Sequence, residues 1–378
     1  MPSHSKPPQF PAALGYRMPA EWEPHAATWI AWPHNRSDWP GKFEPIPWIY
    51  AEIVRNLARV ERTNVLVNGE AAEAAAREML VRSHVIPERA AEPGKPAGNV
   101  VFHHLRTNRG WTRDCGPIFV RRSSRKRDGF PPLATTTWRF NGWAKYKDWR
   151  FDAPVSAEIA KRLRVPACQP TVSVAGKPRR VVLEGGSIEV NGRGTLITTE
   201  ECLLSDVQQR NPGVTRQQLE QIFADYLGAT KVIWLGRGIA GDDTHGHVDD
   251  ITRFVGPRTV LTAYEADRSD ANHEPLHENF RRLQKSTDQS GKPLHIVKLP
   301  MPAPVVFRRQ RLPASYANFY IANELVLVPI FGDPNDRVAL NTLAGLFPGR
   351  EVIGIYCRDF IWGLGAIHCM TQQQPASG

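Results

Sequence analysis

Five short stretches concentrate the residues able to do chemistry: NRGWTRDCGP at 108–117, LEGGSIE at 183–189, GDDTHGHVDD at 241–250, FGDPNDR at 331–337 and WGLGAIHCMTQQ at 362–373. Each lies beside an expected strand end, where loops converge on a pocket. Together they offer a thiol, Cys369, an imidazole, His247, and the carboxylates of Asp114, Glu184 and Asp249, with Trp111 available to stack on something flat. Carboxylates crowded around one pocket repel each other unless a cation joins them. A planar guanidinium suits such a ring, because two carboxylates can each grip it through paired N–H groups.

The segment 241–250 supports two chemistries. As a metal centre, His245, His247 and Asp249 resemble the HxHxD half of a dinuclear zinc site, as in a zinc-dependent hydrolase. Asp250 then stands where a further His is wanted, and His273, His277 and His295 fall on an expected helix and strand rather than on strand-end loops. As an acid–base site, the i, i+2 spacing puts His247 and Asp249 on one face of an extended segment, pointing together into a pocket. Plainer roles exist for single residues: a solvated acidic turn here, a buried small hydrophobe for Cys369, a salt bridge for Asp114 or Glu184. Gly363 and Gly365, shortly before Cys369, would let backbone approach a substrate closely.

Composition narrows the classes. With 378 residues, 41% hydrophobic and 23% charged, the chain can bury a large core, which excludes intrinsic disorder for most of it. The cysteines at 115, 168, 202, 357 and 369 are too scattered for a disulfide framework and form no CxxC pair. No apolar run reaches membrane-spanning length and the amino terminus lacks a secretion signal's apolar core, so the expectation is a cytoplasmic protein without membrane contact. The net charge of +10 permits acidic partners. Its basic clusters, at 121–127 and 308–311, lack an interleaved aromatic platform, so they read as solvated loops and no nucleic-acid partner is expected.

The elements that must position these residues follow one repeated pattern: a β-branched run, a turn, an amphipathic helix, another apolar run. Five copies are expected, with helices near 46–60, 153–163, 215–227, 271–286 and 336–347. In the third, Leu219, Ile222, Phe223 and Tyr226 share a helical face, and Thr215 caps three residues before Gln218. Five strand–helix–strand units point to a radial or barrel-like α/β repeat rather than one doubly wound sheet. A single domain over 15–371 is expected, with 1–14 and 372–378 as loose tails.

Six segments, RMPAEWEPHAATWIAWP (17–33), WTRDCGP, LEGGSIEVNGRGTLITTEECLL, GHVDD, ASYANFYIANELVLVPIFGDPNDRVAL and IHCMTQQ, run in this order along nearly the whole chain. They resemble agmatine deiminases and their relatives in the bacterial peptidyl-arginine deiminase family. The resemblance implies an α/β fold of five ββαβ modules around a pseudo-fivefold axis, a five-bladed propeller. It implies no metal and no organic cofactor, and hydrolysis of a guanidino group to a ureido group with loss of ammonia, through a covalent thiouronium on cysteine. Matched by motif, Cys369 resembles the nucleophile, His247 the general acid and base, Asp114 and Asp249 the guanidinium clamps, and Glu184 a further acid. The implied partner is a small cationic guanidino substrate, and members resembling this chain are often homodimers.

Four departures from the family pattern surround this set: WGLGAIHC for a GGGN-IHC run, NRGW for ND-x-W, THGH for TNGH or TDGH, and FNGWAKY for FNAWGG. Arg109 replaces an acid. Pointing inward, it would favour a carboxylate-bearing substrate such as a carboxy-terminal peptidyl arginine; pointing outward, it leaves agmatine, with its second cation, as the expected substrate.

Overall fold

The computed structural model describes residues 10–123 and 128–377. Its helices form where apolar residues recur at helical spacing. Ile46–Val60 buries Ile46, Tyr50, Ile53, Val54 and Leu57 along one stripe. Arg216–Leu227 opens on Thr215, whose side chain accepts from Gln218 N while the Gln218 side chain accepts from Thr215 N, and it stops at Gly228, at φ 69. The expected face, Leu219, Ile222, Phe223 and Tyr226, is the buried one. Val155–Leu163, His273–Gln284 and Pro334–Leu346 complete the five expected helices.

Each of these helices returns the chain to a strand parallel to the one before it, and a third strand pairs antiparallel on the other side. In chain order of the central strand the five units are Thr371–Pro375/His25–Ala31/Arg62–Val67, Ile118–Arg121/Leu133–Thr136/Ala167–Cys168 and Glu189–Val190/Thr195–Thr199/Lys231–Leu235. Thr252–Phe254/Thr259–Tyr264/His295–Pro300 and Tyr320–Ile321/Leu325–Ile330/Glu351–Tyr356 follow. The fold is mixed α/β. A barrel is not formed by the described residues, because these strands fall into five separate small sheets.

The first unit draws its outer strand from the far end of the chain. Trp29, buried in His25–Ala31, donates its indole N–H to Gln374 Oε1 at 3.0 Å. The expectation of a loose tail from 372 is therefore corrected: residues 372–375 lie in a paired, largely buried strand. The loose amino-terminal stretch is corrected in part, since Pro11–Leu14 forms a 3-10 turn with Pro11 buried and Phe10 packs on Tyr226; residues 1–9 lie outside the described residues. Sequence periodicity also misses Glu70–Arg82 and Val100–His104, which give the first unit a fourth strand. Of the basic clusters, Arg122 is buried against Asp128 rather than solvated, residues 124–127 lie outside the described residues, and 306–311 is a short hairpin.

A short turn precedes every outer strand, and these turns meet. Arg253, fully buried, donates from Nε to Glu189 Oε2 and from Nη2 to Glu21 Oε1, both at 2.9 Å, and from Nη1 to the carbonyls of Ala317 and Phe319. Glu21 also receives Arg113 and His368. Residues from all five units thus share one buried charge network. If the carboxy-terminal strand closes the first unit, a chain ended at Met370 should melt well below the full protein, on the order of 5–10 °C. A chain ended at Pro375 should melt with the full protein, and equal melting of both truncated forms by differential scanning calorimetry would contradict the closure.

Candidate active site

The turns that precede the outer strands carry the chemistry. Thr112–Cys115 is one helical turn holding Asp114, and it is tied to the Cys369 turn because Thr112 Oγ1 donates to Met370 O. Glu184 precedes the turn Gly185–Ser187. His247 precedes, and Asp249 lies within, the turn Val248–Asp250. Cys369 lies in Ile367–Met370. All five of these side chains are buried and come together.

The Cys369 thiol faces Asp249 Oδ2 at 3.6 Å and accepts a hydrogen bond from Asn318 Nδ2 at 3.1 Å. The same Asn318 Nδ2 donates to Asp250 Oδ1, while Asn318 Oδ1 accepts from the backbone N–H of His368 and Cys369. His247 lies between two carboxylates, with Nδ1 3.9 Å from Asp114 Oδ1 and Nε2 3.7 Å from Glu184 Oε2, both beyond hydrogen-bond length. Neither ring nitrogen has a partner, nor have Glu184 Oε2 and Asp249 Oδ1, although all are buried. Buried polar atoms are costly to leave unmatched, so the two unmatched carboxylate oxygens mark the place of a ligand with N–H donors.

Electrostatics separates the acids. Burial pushes Asp114 up to about 6, His247 opposing and Asp249 and Glu184 reinforcing the rise. Burial works the same way on Glu184, but Arg210, 3.2 Å away, and His247 overcome it and bring it down to about 2. Asp249 is lowered against its burial by His368, whose Nδ1 is 2.7 Å away. Burial and the charges of Asp249, Asp250 and Asp114 raise the Cys369 thiol well above its ordinary range. Burial lowers His247, but Asp114, Cys202 and Glu184 together overcome it and raise the imidazole well above its ordinary range.

A cavity of about 340 Å³, part of it open to solvent, leads to Cys369 between Arg109, Trp111, Asp114, Trp143, Tyr146 and Leu364. Trp111 is on its wall, where the sequence reading puts it. Arg109 is there too, but ion-paired with Asp38 and, at 3.1 Å, with Asp148, and stacked 4.1 Å over Tyr146. One expectation is corrected. His247 and Asp249 do not share a face of an extended segment; a 3-10 turn delivers them, with Asp242 pinning the loop by accepting from the N–H groups of Thr244, Gly246 and His247. Gly363 and Gly365 line the cavity as well, and they also make room for indoles, since a Cβ would stand 2.6 Å from Trp39 Cε2 and 2.7 Å from Trp111 Cζ3 respectively.

The zinc reading is also corrected. His245, at φ 66, turns away from His247 to Ser205 Oγ at 3.1 Å and lines a separate groove with Glu200 and Glu201, so His245, His247 and Asp249 do not converge. His273 and His277 stack on one another beside Glu265 O, and His295 opens an exposed strand end. The FGDPNDR carboxylates are structural: Asp333 and Asp336 form the capping box of Pro334–Leu346. The sequence reading missed Asn318, Trp143, which donates to Asp114 Oδ2 at 2.8 Å, Arg210 and His368. Asn318 and His368 lie inside quoted motifs, but an amide and a second histidine carry no spacing signal of their own.

Comparison with known proteins bears on this geometry. Residues 17–375 match the Porphyromonas-type peptidyl-arginine deiminase family. The agmatine deiminase of Medicago truncatula is 35% identical, over 97% of this chain and 98% of that protein. Among solved structures, the agmatine deiminase of Enterococcus faecalis is 31% identical with a TM-score of 0.84, over 98% of each chain. A substrate-bound cysteine-to-serine form of C. jejuni agmatine deiminase is 26% identical, with a TM-score of 0.79 over 95% of this chain and 96% of that one.

Gly186 is the floor of the site. A Cβ there would lie 2.6 Å from His247 Nδ1, 3.0 Å from Asp114 Oδ1 and 3.1 Å from Asp249 Oδ2. Gly186→Ala should therefore displace three site groups together and lower turnover on the order of 100-fold, with the circular dichroism spectrum kept. Wild-type kcat/KM in a folded Gly186→Ala protein would contradict this assignment of the site.

Proposed function

Because the chain belongs to the Porphyromonas-type peptidyl-arginine deiminase family, we propose that it hydrolyses the guanidino group of agmatine, giving N-carbamoylputrescine and ammonia. One observation carries the reading: the Cys369 thiol and Asp114 line a cavity, and the side chains they meet, Asp249 and His247 with its neighbour Glu184, include two buried, unpartnered carboxylate oxygens. A guanidinium supplies N–H donors in one plane for those two oxygens, Glu184 Oε2 and Asp249 Oδ1. Asp114 and Asp249 act as its clamps, Glu184 as a further acid, and Trp111 as the wall along which the planar group slides.

The guanidinium carbon is a weak electrophile because its charge is delocalised. Held between carboxylates, it meets the Cys369 sulfur, whose ionisation is opposed by burial and by the same acids. The arriving cation offsets those acids, so the thiol releases its proton to solvent as substrate binds, and the thiolate is steadied by the Asn318 N–H. Attack gives a tetrahedral adduct. His247, held protonated by its acidic neighbours, then gives its proton to the departing ammonia as the C–N bond breaks, leaving a thiouronium on sulfur. The neutral imidazole next takes a proton from water, whose oxygen adds to the same carbon. Expulsion of the thiolate yields the ureido product. The five units, each preceded by a site-bearing turn, support a propeller of ββαβ modules around a pseudo-fivefold axis, built as one domain.

A colorimetric ureido assay on agmatine, arginine and an arginine-terminated peptide tests the reading. Product is expected from agmatine with the wild type and none with Cys369→Ser; equal product from both proteins would refute a sulfur nucleophile. The pH profile of kcat/KM tests the clamp. Asp114 titrates near 6 in the free protein, so the guanidinium clamp is complete above that pH and lost below it, and Glu184, at about 2, adds nothing there. An acid limb near pH 6 is expected, falling about tenfold per unit; a flat profile from 5 to 7 would remove Asp114 from substrate binding.

A further inference from the structure

Asp250 directly follows the clamp Asp249 and is buried like it, yet the reaction at sulfur gives it no role. The two acids are committed differently. Asp249 Oδ2 accepts from His368 Nδ1, and its Oδ1 has no partner. Asp250 Oδ1 accepts from Asn318 Nδ2 at 2.9 Å, and its backbone carbonyl accepts from Ser315 Oγ at 2.7 Å. Ser315 Oγ in turn accepts from Ala317 N, so one hydroxyl fastens Asp250 to the turn that leads to Asn318.

The Asn318 amide, itself buried, is fully used. Its oxygen accepts from the backbone N–H of His368 at 3.0 Å and of Cys369 at 3.3 Å. Backbone N–H groups only donate, so the oxygen must face them and the NH2 group must face the other way. One of its two hydrogens goes to Asp250 Oδ1, and the other reaches Cys369 Sγ at 3.1 Å. Negative charge on Asp249, Asp250 or Asp114 opposes ionisation of that sulfur. An N–H held on it works the other way, because a hydrogen bond to the charged form favours that form. Burial, with Asp249 and Asp242, raises the Asp250 carboxyl well above its ordinary range, which favours the uncharged acid at this position.

We propose that Asp250 is a positioning residue for the nucleophile, acting as an uncharged lock: it holds one hydrogen of the Asn318 amide so that the other stays aimed at Cys369 Sγ as the thiolate forms. The proposal rests on the deiminase reading for the use of that thiolate, and it adds a residue outside the guanidinium clamp. Asp250 supplies an acceptor oxygen, not a charge. An asparagine in its place keeps the oxygen, whereas an alanine leaves the amide free to turn from the sulfur.

The test is alkylation of Cys369 by iodoacetamide at a fixed pH below the thiol's range, followed by mass spectrometry on the peptide that carries it, with kcat and KM for agmatine measured alongside. Asp250→Ala and Asn318→Ala are expected to slow alkylation on the order of tenfold, and Asp250→Asn to stay within about threefold of the wild type. In the two slowed proteins kcat should fall with KM little changed, since Asp114 and Asp249 still hold the substrate. A fold merely loosened exposes the buried sulfur and speeds alkylation, so slowing separates aim from collapse. Asp250→Leu, which fills the space without an acceptor, takes the place of Asp250→Ala if that protein does not fold. Wild-type or faster alkylation in a folded protein lacking the acceptor overturns the proposal. Equal slowing in Asp250→Asn overturns it as well, because the charge would then be the working part. The expected alkylation pattern without ureido product from the wild type would uphold the lock while refuting the deiminase reading.

Discussion

Arg253 is the interaction on which the arrangement depends. Burying a guanidinium is expensive unless its hydrogen-bonding capacity is used, and here Nε and both terminal nitrogens reach acceptors on Glu189, Glu21 and the backbone of residues 317 and 319. Those acceptors come from the third, first and fifth units, while Arg253 belongs to the fourth; Arg113, just before the second, joins through Glu21. Removing one member of such a set leaves a buried charge unmatched, a loss of about 3–5 kcal/mol. The network therefore fixes the relative positions of the turns that bear Asp114, Asp249 and Cys369, and the site inherits its geometry from a charge cluster that never meets the substrate.

The network and the site use one chemistry in two states of completion. Around Arg253 the carboxylates already hold a guanidinium; a few residues away Asp249 Oδ1 and Glu184 Oε2 hold none. The acids of the site cannot all be ionised cheaply. Arg210 makes the charge on Glu184 permanent and His368 does the same for Asp249, whereas Asp114 is left to burial at about 6. Its proton is bound more tightly in the folded chain than at the ordinary value of 3.8, so its ionisation draws on stability as pH rises from about 4 to 6. A bound cation reverses that penalty, which couples binding to relief of strain in the empty site.

Much of this was legible in the residues because it rests on local signals. The five helices that the periodicity predicts all form, and Cys369, His247, Asp114, Asp249 and Glu184 sit together as expected. Four of the five outer strands were illegible for a physical reason: Glu189–Val190, Thr252–Phe254 and Tyr320–Ile321 are too short to express a two-residue period, and Thr371–Pro375 is a polar TQQQP whose burial comes from pairing with His25–Ala31. Buried polar residues such as Arg253, His368 and Asn318 were equally hidden, since what makes them tolerable is a partner one or more units away.

Arg109 shows how a motif departure should be weighed. Taken alone, a cation in place of an acid inverts the charge presented to the substrate and argues for a carboxylate-bearing tail. The surrounding chain alters that inference, because Asp38, distant in sequence, and Asp148, in the loop that also carries Tyr146, bracket the guanidinium and engage both of its terminal nitrogens. What a ligand meets is the sum over the wall, not the residue at one position. A substitution toward opposite charge can therefore keep the preference for a cationic tail, provided its new partners are acids that the sequence supplies from elsewhere.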